Sequence, residues 1–112
     1  MKLAVIGSRT FSYYTFMCSV LDQYEITMII SGGARGADTL AEKYAKDHDI
    51  PIMTYSADWK RFGRSAGNQR NFQIIDDCDE VVAFWDGESK GTDHSIGYAE
   101  QCNKKVRIEW PH

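Results

Sequence analysis

The residues 31–38, SGGARGAD, place Gly32, Gly33 and Gly36 around Arg35, between an apolar run and a segment of helical character. These residue types at this spacing suit an anion. Glycine lets a ligand approach the main chain, and successive amide protons can turn into a concavity at the positive end of the helix that starts at Ala37. Arginine grips a phosphate with a planar fork of donors, where lysine supplies a point charge. The same glycines would equally serve a plain strand-to-helix turn. Ser31, with Ser8, Ser65 and Thr92 elsewhere, adds hydroxyls.

Other candidates fall in comparable places. Arg9 lies in GSRTF (7–11), Arg61, Arg64 and Arg70 in ADWKRFGRSAGNQRN (57–71), and Gly91 and Thr92 in DGESKGTD (86–93). Each stretch follows an apolar run, so every arginine except Arg107 sits beyond the end of a strand or in the first helical turn after it. Like charges repel when gathered, and an anion that neutralises them is the simplest account. Arg70, next to Asn71 at the start of a helix, could point over a crevice or pair with Asp58, Asp76 or Asp77. Asp38 and Asp93 read as first-turn acids complementing helix dipoles, or as catalytic carboxylates. Trp59 and Phe62 are either core under a long loop or a platform for a base.

The elements that must position these residues follow from periodicity. Apolar runs at 2–7, 27–31, 50–55, 80–85 and 105–110 read as five strands, the first, second and fourth apolar enough to be covered on both faces. Between them, Phe16, Val20 and Tyr24, then Leu40, Ala41, Tyr44 and Ala45, then Phe72 and Ile75, then Ile96, Ala99 and Cys102 mark four amphipathic helices. Alternation of this kind makes right-handed parallel crossovers. It predicts a three-layer α/β sandwich with a five-stranded parallel sheet in the order 3-2-1-4-5. Its crevice would open at the carboxyl ends of strands 1, 2 and 4.

At 112 residues the chain has room for one domain, 1–112. Hydrophobic residues make up 43% and charged residues 26%, which excludes general disorder. The net charge of -3 argues against a globally basic coat, so nucleic acid is read as an unlikely partner, although Trp59, Lys60, Arg61 and Arg64 form a local basic-aromatic stretch. No apolar run spans a membrane and MKLAVIGSRTF is too short in its apolar part for a signal peptide; a cytoplasmic location without membrane partner is expected. Cys18, Cys78 and Cys102 read as buried free thiols, and neither they nor His48, His94 and His112 give a metal spacing. GxxxxGK[ST] and GxGxxG are both missing, which disfavours an ordinary dinucleotide dehydrogenase and a classical nucleoside-triphosphatase; no cofactor and no metal are expected.

Taken together, GSR, SGGARGAD, ADW with GRSAGNQRN, and the glycine-threonine pair resemble the SLOG superfamily, and within it the small YspA/YpsA-related family of bacteria and phages. The resemblance implies a Rossmann-like fold and a pocket for a nucleotide or nucleotide-derived ligand. Its binding residues would be Gly7, Ser8, Arg9, Gly32, Gly33, Arg35, Gly36, Asp38, Arg70, Asn71, Gly91 and Thr92. It also implies sensing or processing of such ligands, sometimes in conflicts between phages and hosts. One branch of the superfamily cleaves the base from nucleoside monophosphates, and another, similar to DprA, binds single-stranded DNA.

The leading expectation is binding or sensing of a phosphorylated nucleotide-like small molecule, with Ser31 and Trp59 added to the family-type residues. The alternatives are a phosphoribohydrolase-like N-glycosidase using Asp38, Asp93 and Arg70, and single-stranded nucleic-acid binding. Whether the protein is an enzyme stays open, because Ser95 stands where the hydrolytic branch carries its glutamate, and serine cannot act as that carboxylate. Self-association is expected by analogy, with Tyr13, Tyr14 and Phe16 as interface candidates.

Overall fold

The structure, a computed structural model, describes residues 1–111; His112 lies outside them. Strands β1 (Lys2–Gly7), β2 (Met28–Ser31), β3 (Ile52–Thr54), β4 (Glu80–Phe84) and β5 (Lys105–Glu109) form one parallel sheet in the order β3-β2-β1-β4-β5. This is the Rossmann-like sandwich expected from the alternation of apolar runs and helices.

Alternation along β1 builds two cores. Leu3 and Val5 face helices α1 (Tyr14–Leu21) and α2 (Ala37–Asp47), where they pack with Met17, Leu21, Ala41 and Tyr44. Ala4 and Ile6 face α4 (Ala66–Asp77) and α5 (Lys90–Gln101), against Ile74, Ile75, Ile96 and Ala99. A side chain as large as Leu or Ile, moved wholly from water to such a layer, stabilises by about 1.5–3 kcal/mol. The central strand is therefore the rigid datum for the loops that leave it. The outer strands are less covered: Met53 on β3 and Ile108 on β5 are exposed.

Two boundaries depart from the pattern-based expectation. The third strand is confined to Ile52–Thr54; Pro51 has no N–H to give the ladder, although its carbonyl accepts from Ile29 at 2.9 Å. The segment 57–71 is more ordered than a loop. It forms a one-turn helix, α3 (Trp59–Phe62), then a 3-10 turn (Gly63–Ser65), and α4 begins at Ala66. Asp58 starts α3, its Oδ1 accepting from the Arg61 amide at 3.1 Å.

Of the cysteines, Cys78 is buried and donates to the Ile75 carbonyl, whereas Cys18 and Cys102 are half-buried. The reading of all three as buried is thus corrected for two: they lie on helix flanks rather than under the sheet. Phe16 packs against Phe84 and the Tyr14 hydroxyl donates to Asp47, which ties both to the core side of α1; Tyr13 is exposed. Among the described residues no helix is long and apolar enough to cross a membrane.

Candidate functional site

At the carboxyl ends of β1, β2 and β4 the loops part around a crevice of about 530 Å³, counting the space open to solvent. Arg9, Asp38, Arg70, Asn71, Gly91 and Thr92 line it, with the Gly7 backbone at its base. Ala34, Ser89 and Ser95 also line it, though the sequence did not single them out as ligand contacts. Ser95 lies one turn beyond Thr92 on α5, and that three-residue spacing was the available signal for a shared face.

Gly7 and Gly36 fix how closely the walls approach. A Cβ on Gly7 would lie 2.5 Å from the Phe84 carbonyl oxygen and 2.7 Å from the Ala37 Cβ. Gly36 has φ +74°, and a Cβ there would meet the Ser8 and Arg9 carbonyl oxygens at 2.4 and 2.5 Å. The loop after β1 therefore lies directly on the start of α2. Ser8 completes the joint: buried, it accepts at its carbonyl from Phe11 and Ala37 and at its hydroxyl from the Asp86 amide. Ser8 is a tie between loops and is not among the residues lining the crevice.

Arg70 reaches across the crevice from α4. Its Nη1 donates to the Gly32 carbonyl at 2.7 Å and its Nε to Asn71 Oδ1 at 2.9 Å, which pins the guanidinium and leaves its remaining donors for a ligand. A Cβ on Gly32 would stand 3.0 Å from that guanidinium, so this glycine makes room for Arg70. The carboxylates that could have neutralised Arg70 are engaged elsewhere: Asp76 accepts from Tyr98, Asp77 from Tyr55, and Asp58 from the Arg61 amide. Among the described residues no carboxylate lies within ion-pair distance of Arg9, Arg35 or Arg70.

The expected amide cradle at the start of α2 is narrowed by the structure, because two of its amides are taken within the protein. The Ala34 amide donates to Asp38 Oδ2 at 3.0 Å, and the Ala37 amide to the Ser8 carbonyl at 3.3 Å. Asp38 thus ties back the loop that precedes α2, and the first loop takes the Ala37 amide. At α5 the bond from the Asp93 amide to the Ser89 carbonyl is the first intrahelical one, and the amides of Lys90, Gly91 and Thr92 precede it without a side-chain cap. Asp86 shapes the approach by accepting from the Glu88 and Ser89 amides, which hold its carboxyl below the usual carboxylate range. Ser89 and Thr92 hydroxyls pair at 3.2 Å beside these amides.

Asp38 is the one acid of the crevice wall. Burial raises its pKa, against the lowering influence of the Ala34 amide, Arg70 and the Gly32 amide. Its contact with Ala34 makes it the fastener of the loop after β2, and its charge subtracts from that of Arg70.

Other expected site residues are not brought into the crevice. Ser31 is wholly buried with its hydroxyl unpartnered, and Gly33 packs toward Thr54. Arg35 and Gly36 border a neighbouring hollow that shares Arg9 with the crevice. Trp59 is 63% exposed on α3, outside the crevice, which excludes the reading of it as core. Asp93 faces a separate hollow between α4 and α5, with Phe72, His94 and Tyr98. A catalytic role for Asp93 at the crevice is therefore not carried, since residues three apart on α5 face the crevice at Thr92 and Ser95 while Asp93 turns away.

This geometry can be set beside known proteins. The model of the YspA, cpYpsA-related SLOG family matches residues 1–62, which include the loops after β1 and β2. The chain belongs to that family. Gene 61 protein of Mycobacterium phage D29 is 32% identical over 116 residues, spanning 94% of this chain and 93% of the relative. Among solved structures, DNA processing protein A (DprA) from Streptococcus pneumoniae superposes with a TM-score of 0.80 at 20% identity, over 96% of this chain and 49% of that one. DprA from Helicobacter pylori, in a structure concerned with its single-stranded DNA binding mode, gives 0.75 at 20% identity, over 96% and 64%. The chain thus spans about half of one DprA chain and just under two thirds of the other, and the likeness to them is one of fold.

One expectation is overturned by these comparisons: that nucleic acid is an unlikely partner. A protein of this same fold binds single-stranded DNA, and net charge was the wrong quantity for excluding it. Phosphate is met by the local field of a crevice, whereas the net charge of -3 sums acids on remote helix faces such as Glu42, Asp47 and Glu100.

Proposed function

We propose that this domain binds single-stranded nucleic acid, seating a backbone phosphate in the crevice between Arg9 and Arg70. The observation that carries the reading is the convergence of two guanidinium groups, neither in an ion pair among the described residues and one of them pinned, on a crevice bordered by the start of α5. Such a site supplies charge, planar donors and main-chain amides to one phosphate. Beyond it, the exposed Trp59 stands with Lys60, Arg61 and Arg64 on the turns that lead into the helix bearing Arg70. An aromatic face among cations accepts a stacked base of any identity. The fold shared with DprA supports this reading.

A second reading is binding of a free nucleotide, favoured by the meeting of Arg9, Arg70 and Thr92 in one crevice, which suffices for a single phosphate. Base hydrolysis receives no support here. The Ser95 hydroxyl donates to the Gly91 carbonyl, Asp93 lies elsewhere, and Asp38 is fastened to Ala34.

Fluorescence anisotropy of a labelled single-stranded oligonucleotide, titrated across salt concentrations, tests the proposal. Binding should weaken with salt, and Arg70→Ala should reduce the log–log slope by roughly 0.7, the value for one phosphate contact on a single strand. Folded protein that binds no oligonucleotide at low salt refutes the strand reading. If a nucleoside monophosphate still shifts the melting temperature, the second reading takes its place.

A further inference from the structure

The hollow on the other side of Arg9 is unexplained by a single phosphate. Phe11 forms its floor, 2% exposed and held rigidly between Phe84 and Trp110 at ring-centroid distances of 4.8 and 5.5 Å. Leu40 widens the apolar surface, and Arg9 and Arg35 stand on the rim. The hollow is about 630 Å³ counting open space, and it shares Arg9 with the crevice.

We propose that this hollow is a second nucleotide subsite, taking the sugar and base of the unit adjacent in the strand, with Arg35 meeting that unit's phosphate. The inference rests on the strand-binding reading above and adds the size of its footprint. Chemistry favours this occupant. A free mononucleotide in the crevice would leave an exposed arginine and an apolar floor unused, whereas a strand presents an anion and a planar apolar surface in every repeat. Arg9 belongs to both cavities, so it lies where a linkage between neighbouring units must pass. The displacement of Arg35 from the crevice then has a reason: it serves the next phosphate.

Isothermal titration of 5′-phosphorylated thymidine mononucleotide and dinucleotide tests the subsite. Arg35 is exposed and takes part in no ion pair among the described residues, so Arg35→Ala should fold normally. The wild type should bind the dinucleotide about tenfold more tightly, the return from one charge-assisted contact. Arg35→Ala should abolish that advantage while changing mononucleotide affinity by less than about twofold. Equal affinities in the wild type, or an equal loss for both ligands in the variant, overturn the subsite and leave the crevice reading intact. No binding of either ligand overturns both.

Discussion

Gly36→Ala tests whether the joint between the first loop and α2 is as tight as the geometry states. At φ +74° an L-residue sits in a region that costs about 1–3 kcal/mol of backbone strain. Its new Cβ would also lie 2.4 Å from the Ser8 carbonyl oxygen and 2.5 Å from that of Arg9, roughly an ångström inside ordinary contact. Those atoms are main chain, so relief requires the loop bearing Arg9 to move, an overpacking cost of about 1–3 kcal/mol. The sum is about 2–4 kcal/mol if relaxation overlaps the two. For a domain of this size that lowers the melting temperature by roughly 8–16 °C. The matched control is Gly67→Ala on α4, where a Cβ meets nothing within 4 Å; it should be neutral or stabilise by up to about 1 kcal/mol. Thermal unfolding followed by circular dichroism reads both. A Gly36→Ala protein that melts within 2 °C of wild type, or no earlier than the control, refutes the account of this joint.

Further outcomes follow from the charges around the crevice. Asp38→Asn removes the acid beside Arg70 while keeping an acceptor for the Ala34 amide, so phosphate affinity should rise by about threefold or more at pH 7; a loss of binding in calorimetry would assign the carboxylate to the ligand instead. The pKa of Asp38 is raised on folding, so the stability it contributes is greatest below its unfolded value of 3.8 and declines as pH rises through the folded one. Wild type should therefore lose stability relative to Asp38→Asn across that window, as denaturant titrations at successive pH values will show. Asp86 has the opposite sign: its pKa is depressed by the Glu88 and Ser89 amides, so its stabilisation is present above 3.8 and lost as pH falls through the folded value. The melting temperatures of Asp86→Ala and wild type should accordingly converge in acid and differ at neutral pH. Burial pushes the Cys78 thiol up to about 11, and iodoacetamide at pH 8 should leave it unmodified in native protein, as peptide mass spectrometry will detect.

Much of this architecture was legible in the chain because burial imposes periodicity. KLAVIG and EVVAF are apolar on both faces since each lies inside a sheet covered on two sides, and the helices betray themselves by spacings of three and four. Local chemistry also located the loops. What stayed illegible was short or long-range: α3 is a single turn held by one cap from Asp58, too brief to show a period.

The sequence by itself determined the sheet order, the glycine-bearing corners and the gathering of arginines beyond the strand ends, because each follows from local pattern and the handedness of parallel crossovers. Tertiary structure alone decided which of those arginines act together. Arg9 and Arg70, distant in the chain, share a crevice because Gly32 yields the room and its carbonyl the anchor, while Arg35, three residues from that glycine, is turned to the neighbouring hollow. It also decided what the first-turn acids do: Asp38 folds back on the Ala34 amide while Asp93 faces a separate hollow, and such contacts are not encoded in sequence spacing.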